Sequence, residues 1–292
     1  MFEVPGDDRW VSDQGREWQR VQRLDADWAA GEVDRLAGVK LVVEGPCGGG
    51  EVGAAFVRWE DGHRSVLKWR PGTRLDDLER GPLAVVDVLR DAGYPAPRTE
   101  LAVQVGTAVV TVQELMPGAT VTDLTPGLLD QVLALNELQA GRLAGSAVSP
   151  LPLYLQTDGP GFCLHEPLRQ RDARTAALER RIAAVELEML EGDDAVHVDF
   201  HPGNLLHTNG KLTGVIDWDG AGRGQRGFDL VTLRFGVRGP IAQRLDQILD
   251  ELPYDVLRAS WAHMSLRMVD WAIRHVPADE VDHWVDLAEQ RI

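Results

Sequence analysis

The chain has 292 residues, of which 44% are hydrophobic and 26% charged, as in an ordinary soluble globular protein with one large domain or two joined lobes. Acidic residues outnumber basic ones by 46 to 30, so the formal net charge is −16. This balance argues against broad nucleic-acid binding, which needs a basic surface. It is compatible with a cationic substrate, although charge that only keeps the protein in solution is the favoured interpretation.

Neither a membrane partner nor secretion is expected from the sequence. No apolar run approaches the ~20 residues of a membrane-spanning helix, and the acidic start MFEVPGDDRW is unlike a signal peptide. Two cysteines, Cys47 and Cys163, do not make a disulfide framework. We therefore expect a cytoplasmic protein.

The first part of the chain is predicted to be rich in strands. Apolar residues at helix-like intervals predict a leading helix from about Ser12 to Leu36. Short segments rich in β-branched and aromatic residues then predict five strands: Lys40–Glu44, Ala54–Trp59, Arg64–Trp69, Leu101–Val105 and Ala108–Leu115. Asp61-Gly62 is typical of a hairpin turn, and a helix over Leu75–Ala92 is interrupted at Gly81-Pro82.

The second part is predicted to be mainly helical. The segment Met116-Pro117-Gly118 ends the strand pattern, and helical periodicity then covers three stretches: Pro126–Leu143, Arg169–Leu190 and most of Ile241–Ile292. Short apolar pieces separated by turn residues interrupt it over Val196–Asp219. The sequence thus predicts an α+β chain of two lobes, residues 1–115 and 116–292, with the ligand site in the crevice between them.

The segment His197 to Gly220, HVDFHPGNLLHTNGKLTGVIDWDG, carries the predicted chemistry. Asn209-Gly210 predicts a hairpin turn, which brings Asn204 and Asp217 to the same end of a strand pair. Their oxygens suit magnesium, while Asp199 is placed to accept a proton from a substrate hydroxyl. Phosphoryl transfer needs this combination of an oriented nucleophile and a metal that neutralises phosphate charge.

This segment resembles the catalytic block of the aminoglycoside-phosphotransferase and choline-kinase group, which reads H-x-D-x-H-P-x-N followed by I-D-W or I-D-F. The resemblance implies a bilobal protein-kinase-like fold, with a β-rich N-lobe and a mainly helical C-lobe. It implies Asp199 as the catalytic residue, Asn204 and Asp217 as magnesium ligands, and His197 as a brace of the loop. Asp229 in GFDLVTL corresponds to a buried aspartate that accepts backbone hydrogen bonds from the loop.

The first lobe is expected to bind the nucleotide, ATP or GTP. Backbone N–H groups of Gly48, Gly49 and Gly50 are candidates to cover the phosphates. Lys68 shares a strand face with Val66 and is expected to reach the α- and β-phosphates. Glu79 is the expected partner of the lysine. The Glu114 carbonyl and the Met116 amide are expected to meet the adenine edge. Val43, Val66 and Leu206 or Ile216 are expected to be the walls around the base.

Some residues keep alternative interpretations. His197, Asp199 and His201 could instead form a zinc cluster, because alternate residues of a strand point the same way. Asp219 could touch a second magnesium or cap a turn, whereas His201 and His207 are expected to be structural. Gln139 stands where many relatives have a histidine, and no function follows from it.

The expected activity is transfer of the γ-phosphoryl group of ATP to a hydroxyl of a small molecule. Aminoglycosides or other cationic antibiotics are one class of acceptor; a sugar, amino alcohol or nucleoside of metabolism is another. A non-catalytic nucleotide-binding protein with the same fold is the alternative. Protein acceptors are less favoured, because no long activation segment follows Asp217. Acidic residues of the last helices could line the acceptor site or face solvent: Asp255, Asp270, Glu280 and Asp282.

Overall fold

The computed structural model describes residues 9–11, 17–19, 23–48, 52–159, 161–186 and 191–292, with the backbone alone at 9–11, 17–19 and Asp255. The strands are β1 (Arg9–Val11), β2 (Glu17–Gln19), β3 (Val42–Cys47), β4 (Ala54–Arg58), β5 (Arg64–Pro71), β6 (Thr99–Val105), β7 (Ala108–Glu114), β8 (Ala119–Thr120), β9 (Asp194–Val196), β10 (Leu205–Thr208), β11 (Lys211–Val215) and β12 (Gly222–Gly224). The helices are α1 (Ala26–Ala37), α2 (Leu75–Leu78), α3 (Ala84–Asp91), α4 (Pro126–Leu138), α5 (His165–Arg171), α6 (Ala173–Ala183), α7 (Gly227–Phe235), α8 (Gly239–Asp250), α9 (Tyr254–His275) and α10 (Ala278–Arg291).

Five antiparallel strands form the sheet of the first part, in the order β3-β4-β5-β7-β6. β4 and β5 are joined by the predicted turn, where Gly62 takes a φ of 91° that glycine adopts without strain. Alternate residues of β5 face opposite sides, so Leu67 is buried in the core while Lys68 lies on the other face. Helix α1 covers the core side through the buried residues Ala30 and Val33.

The predicted leading helix is shorter than expected. It begins at Ala26, because the Asp25 carboxylate caps it by accepting a hydrogen bond from the Trp28 amide at 3.0 Å. Glu17–Gln19 is a strand instead, with Trp18 opposite Trp10, so extending the helical pattern back to Trp18 was wrong. Residues 12–16 lie outside the described part of the chain.

The interruption predicted at Gly81-Pro82 is present. A π-helical segment, Glu79–Leu83, joins α2 to α3, and Gly81 has non-helical dihedrals of φ −111° and ψ −110°. Proline lacks the N–H that a continuous helix would use there. A helical register counted back from α3 therefore does not carry over to the residues before Gly81.

The second part is built around two buried clusters of apolar side chains. One gathers residues of α7 and α9, including Phe228 and Trp261, and the other includes Phe200 and Trp218. The hairpin β10–β11 turns at Asn209 and Gly210, whose φ angles of 52° and 76° suit this dipeptide. Within the described residues, no helix has the length and apolar character required to span a bilayer.

The segment between the two parts is fixed against this hairpin at Gly118. The residue has a φ of +113°, and a Cβ built on it would stand 2.6 Å from Thr213 Oγ1 and 2.8 Å from the His207 carbonyl oxygen. The Thr213 hydroxyl also donates to the Pro117 carbonyl at 2.5 Å. Only glycine fits this close approach of two backbones, which sets the hairpin relative to the end of β7.

Replacing Gly118 by alanine should therefore destabilise the protein by about 3 kcal/mol, since backbone strain and steric overlap add. The free energy of unfolding in urea measures the effect. Gly127→Ala is the matched control, because a Cβ there meets no atom within 4 Å. Equal stability of the two variants would contradict the constraint.

Candidate active site

The hairpin brings together the two predicted metal ligands. The Ile216 amide donates to the Asn204 carbonyl oxygen at 2.9 Å, directly after Leu205 pairs with Val215. Asn204 and Asp217 consequently lie at the same end of the strand pair, the arrangement expected from the sequence. Asp217 has a φ of 67°, uncommon for a residue other than glycine and typical of functional sites.

The loop that carries Asp199 is anchored by the buried carboxylate of Asp229. This carboxylate accepts the amide of His197 on Oδ2 and that of Val198 on Oδ1, both at 2.9 Å. Val198 has a φ of 75°, a strained value for a β-branched residue, and the two bonds hold it there. Burial raises the pKa of Asp229 to about 7, while the hydrogen bonds from the His197 amide and Gln139 oppose this rise.

Gln139, to which sequence analysis assigned no function, completes this anchor. Its Nε2 donates to Asp229 Oδ2 at 2.7 Å and to the Ala195 carbonyl at 3.1 Å. Its Oε1 accepts from Asn136 at 3.1 Å, so the side chain is oriented in turn. The signal in the sequence is the pair of amides at positions 136 and 139, which fall on the buried face of α4 and its end.

The ring of His197 is committed to the backbone. Nε2 donates to the Ile216 carbonyl at 2.9 Å, and Nδ1 accepts the Asp199 amide at 3.2 Å. Burial lowers the pKa of His197 to about 4, so the ring is neutral. Both nitrogens are occupied, which excludes the zinc interpretation, and no group of three His, Cys, Asp or Glu suitable for a metal occurs within the described part of the chain.

Asp199 contacts the side-chain amide of Asn204, the guanidinium of Arg267 and the ring of His201. Asn204 Nδ2 donates to its carbonyl oxygen at 2.8 Å and to Oδ2 at 3.2 Å. Arg267 donates to Oδ1 at 2.8 Å, and His201 Nε2 lies 3.6 Å from the same oxygen. Burial opposes ionisation, but the Arg267 charge and then His201 hold the pKa of Asp199 well below its ordinary value.

Arg267 was not expected from the sequence; it lies in α9, beyond the resembling segment. It reaches Asp199 across 68 positions of the chain, and no local pattern marks it. Its only signal is a charged residue in a mainly buried helix.

Lys68 lies between two carboxylates of the segment that follows β11. Its ammonium is 2.6 Å from Asp217 Oδ1 and 2.6 Å from Asp219 Oδ1. The Lys68 charge is the main reason that the pKa of Asp217 is lowered, against the effect of burial. Burial disfavours the charged form of Lys68, but Asp217 and Asp219 outweigh it and raise the pKa of the lysine. Asp219 is therefore an ion-pair partner of Lys68.

Arg70 is a second cation on this face that sequence analysis missed. It follows Lys68 by two positions on β5, is 6% exposed and pairs with Asp219. The alternation of side chains along a strand was the available signal, because it places both residues over the crevice.

The predicted pair of Lys68 and Glu79 is not formed. Glu79 is exposed on the π-helical segment, and Lys68 is paired with aspartates of the second part instead. The physical reason is the break at Gly81, which changes the helical register before α3. A partner residue inferred by counting along a continuous helix does not survive such a break.

The rest of the predicted nucleotide site is only partly described. Gly48 is exposed after the end of β3, whereas Gly49 and Gly50 lie outside the described residues. The Glu114 carboxylate accepts hydrogen bonds from the Arg90 side chain and from the Arg98 amide, each at 3.1 Å. The main chain of Glu114 lies at the end of β7. The predicted walls Val43, Val66 and Ile216 are half-buried, and Leu206 is buried. The Met116 side chain packs on Gly214 of β11, beside Leu206.

The acidic residues of the last helices do not form an open acidic pocket in the described part of the chain. Asp270 is buried, paired with Arg274 at 2.8 Å, and accepts the Leu164 amide at 3.0 Å. Asp282 pairs with Arg171 at 3.0 Å, and Glu280 is exposed at the start of α10. The side chain of Asp255 lies outside the described residues.

Comparisons with known proteins agree with this arrangement. The model of the phosphotransferase enzyme family, APH, matches residues 46–262, more than half of the chain. A thermostable mutant of aminoglycoside phosphotransferase APH(4)-Ia, in ternary complex with AMP-PNP and hygromycin B, has a TM-score of 0.61 at 17% identity, covering 89% of this chain and 96% of that chain. A putative fructosamine-3-kinase from Thermobifida fusca YX-ER1 has a TM-score of 0.56 at 18% identity, covering 91% and 99%. No curated protein sequence matches the chain significantly. At these identities the solved structures share the protein-kinase-like fold.

Because the folded pKa of His197 is about 4 and its ordinary value is 6.5, the unfolded chain takes up a proton first as the pH falls. The stabilising effect of neutral His197 should thus be present above pH 6.5 and diminish by about 2 kcal/mol by pH 4.5. Urea unfolding of wild type and His197→Gln at several pH values measures this difference.

His63→Gln provides a control of opposite sign. His63 is exposed, and its hydrogen bond to Asp61 raises the pKa of the ring. Its stabilising effect is therefore present at low pH and is lost as the pH rises. A His197→Gln difference that does not change with pH would contradict the buried neutral ring.

Proposed function

Because the chain belongs to the phosphotransferase enzyme family, we propose that it transfers the γ-phosphoryl group of ATP, or GTP, to a hydroxyl of a small molecule. The observation that carries this proposal is the convergence of Asp199, Asn204, Asp217 and Lys68, which two direct contacts support. Asn204 contacts Asp199 within one loop, and Lys68 contacts Asp217 from a distant segment of the chain. The four side-chain types are those that phosphoryl transfer uses.

Asp199 is the proposed catalytic base. The charge of Arg267 keeps its carboxylate ionised, and Asn204 and Arg267 fix the positions of its two oxygens. In a phosphoryl transfer with a loose transition state, the base mainly orients the acceptor hydroxyl and accepts its proton late. A rigidly held, ionised carboxylate suits this function, and His197 and Asp229 support it from behind.

Asn204 and Asp217 are the proposed ligands of Mg²⁺. The amide nitrogen of Asn204 is used by Asp199, so its oxygen is directed away from that residue and remains available. One oxygen of Asp217 is paired with Lys68 and leaves the other for a cation. Two oxygen donors fit a hard cation that keeps other positions for phosphate and water. The bound metal would neutralise charge on the triphosphate.

Lys68 is proposed to bind the α- and β-phosphates, which would replace Asp217 and Asp219 as its partners. The adenine edge is assigned to the main chain of Glu114 and Met116, where the Met116 amide has no hydrogen-bond partner in the described part of the chain. Backbone N–H groups at Gly48, Gly49 and Gly50 would cover the phosphates. Two free cysteines are compatible with a cytoplasmic location.

Asp199→Asn should reduce acceptor-dependent ATP consumption by about 10²- to 10⁴-fold, the usual contribution of a positioned base. ATP binding, measured by calorimetry, should be retained because Asp199 does not hold the nucleotide. Asp130→Asn is the control, since this exposed residue pairs with Arg244 on the surface. Tight ATP binding by the wild type without turnover of any hydroxyl acceptor would favour a nucleotide-binding protein.

Asp217→Asn should abolish the gain in ATP affinity that Mg²⁺ provides, a loss of about tenfold or more. Titrations of ATP with Mg²⁺ and with EDTA separate this gain from binding of the nucleotide alone. Asp219→Asn is the matched comparison, because both variants remove one negative charge next to Lys68. A full Mg²⁺-dependent gain in Asp217→Asn would remove this residue from the metal site.

A further inference from the structure

Arg267 approaches the proposed base from the side that the metal ligands leave open. Asn204 contacts the Oδ2 side of Asp199, and Arg267 contacts Oδ1 at 2.8 Å. The guanidinium also donates to the Val198 carbonyl at 3.3 Å and lies 5.4 Å from the centre of the Phe162 ring. A hydroxyl that reaches Asp199 opposite the metal must therefore pass next to this cation.

The guanidinium retains hydrogen-bonding capacity for a ligand. It has five N–H donors in a planar fork, and among the described residues it donates only to the oxygens of Val198 and Asp199. Its side chain is 20% exposed, so part of it is accessible. A guanidinium with free donors beside an aromatic ring is well suited to bind a carboxylate or phosphate.

The carboxylate that follows Arg267 on its own helix is already engaged. Asp270, one turn after Arg267 on α9, is buried against Arg274. Among the described residues the carboxylate partner of Arg267 is thus Asp199, and Asp270 adds no free negative charge that would offset the repulsion of a cationic acceptor.

The surface on the other side of the catalytic loop has a cavity lined by two arginines and one aspartate. Gly236 lies against this loop, since a Cβ on it would stand 2.9 Å from Pro202 Cδ and 3.3 Å from His201 Cβ. The residues that follow it line a cavity of about 260 Å³, whose ionisable lining residues are Arg234, Arg238, Asp246 and His283. Asp246, the single carboxylate among them, is paired with Arg234 at 2.8 Å and with Arg291.

From this we infer that the acceptor carries an anionic group, a carboxylate or phosphate, next to the hydroxyl that is phosphorylated, and that Arg267 binds it. The inference rests on the proposed phosphotransfer. In that reaction the acceptor oxygen bonds to the γ-phosphorus, the bond to the β,γ-bridging oxygen breaks, ADP leaves, and the hydroxyl proton passes to Asp199. Arg267 is at once a positioning residue for this base and a determinant of the acceptor's charge.

Two sets of acceptors test this inference, and within each set the compounds share a carbon frame but differ in charge. The full-length protein with Mg²⁺ and ATP is assayed for ADP release with glucuronate, glucose and glucosamine, and with glycerate, glycerol and serinol. We expect kcat/KM for the acids to exceed that for the neutral and amino compounds by about tenfold to a hundredfold, as for a charge-assisted hydrogen bond.

Arg267→Gln separates recognition from positioning of the base. Because Asp199 loses a partner, kcat should fall for every acceptor, but the ratio of acid to neutral acceptor should also fall towards one. Arg267→Lys should retain part of that ratio. Arg244→Gln, which removes a surface cation paired with Asp130, should leave the ratio unchanged.

The outcomes distinguish this inference from the phosphotransfer proposal. Preference for the amines, equal use of all three charges, or an unchanged ratio in Arg267→Gln overturns the inference while phosphotransfer stands. If none of the six compounds is phosphorylated, calorimetry with AMP-PNP and Mg²⁺ decides. Tighter binding of the acids supports the inference, and tighter binding of the amines or no discrimination overturns it.

Discussion

The buried carboxylate of Asp229 is the interaction on which the geometry of the site depends. Three N–H groups converge on it, two from the backbone of the catalytic loop and one from Gln139. These bonds offset the cost of burying a carboxylate, and they also hold Val198 at a positive φ that it would not adopt alone. Since Asp199 follows Val198 directly, the strained residue decides where the proposed base points. The loop is thus positioned from its core side, which leaves the side towards the crevice free for ligands.

The crevice itself is organised by ion pairs between the two parts of the chain. Lys68 and Arg70 on β5 meet Asp217 and Asp219 after β11. In the proposed reaction a magnesium-bound triphosphate would exchange partners within this preformed set of charges. Such an exchange needs little reorganisation, because Lys68 would move from a carboxylate to a phosphate and Asp217 from a cation to the metal. The connection at Gly118 keeps the hairpin and β7 close enough for this exchange.

Sequence patterns predicted the parts of the site that are local. The Asn209-Gly210 turn, with both φ angles positive, placed Asn204 and Asp217 together, and strand alternation placed Lys68 over the crevice. The break at Gly81 was visible, but its effect on the position of Glu79 was not, because a count of residues assumes an unbroken helix. Arg267 on α9 and Gln139 at the end of α4 reach Asp199 and Asp229 only through tertiary packing. No spacing rule connects residues 68 or 90 positions apart, so such partners could not be read from the sequence.

The net charge of the chain likewise does not predict the charge next to Asp199. A formal charge of −16 was compatible with an acidic site for a cation, yet many carboxylates are used elsewhere in the described structure. Asp270 is buried with Arg274, while Asp282, Asp286 and Glu289 pair with arginines on the surface. Arg267 contacts Asp199 directly, so a cation lies beside the proposed base although the chain as a whole is acidic. The field at an acceptor is set by groups within a few ångströms, since exposed charges beyond about 10 Å are screened by salt. The arginine beside the proposed base therefore outweighs the average charge of the chain in the choice of acceptor.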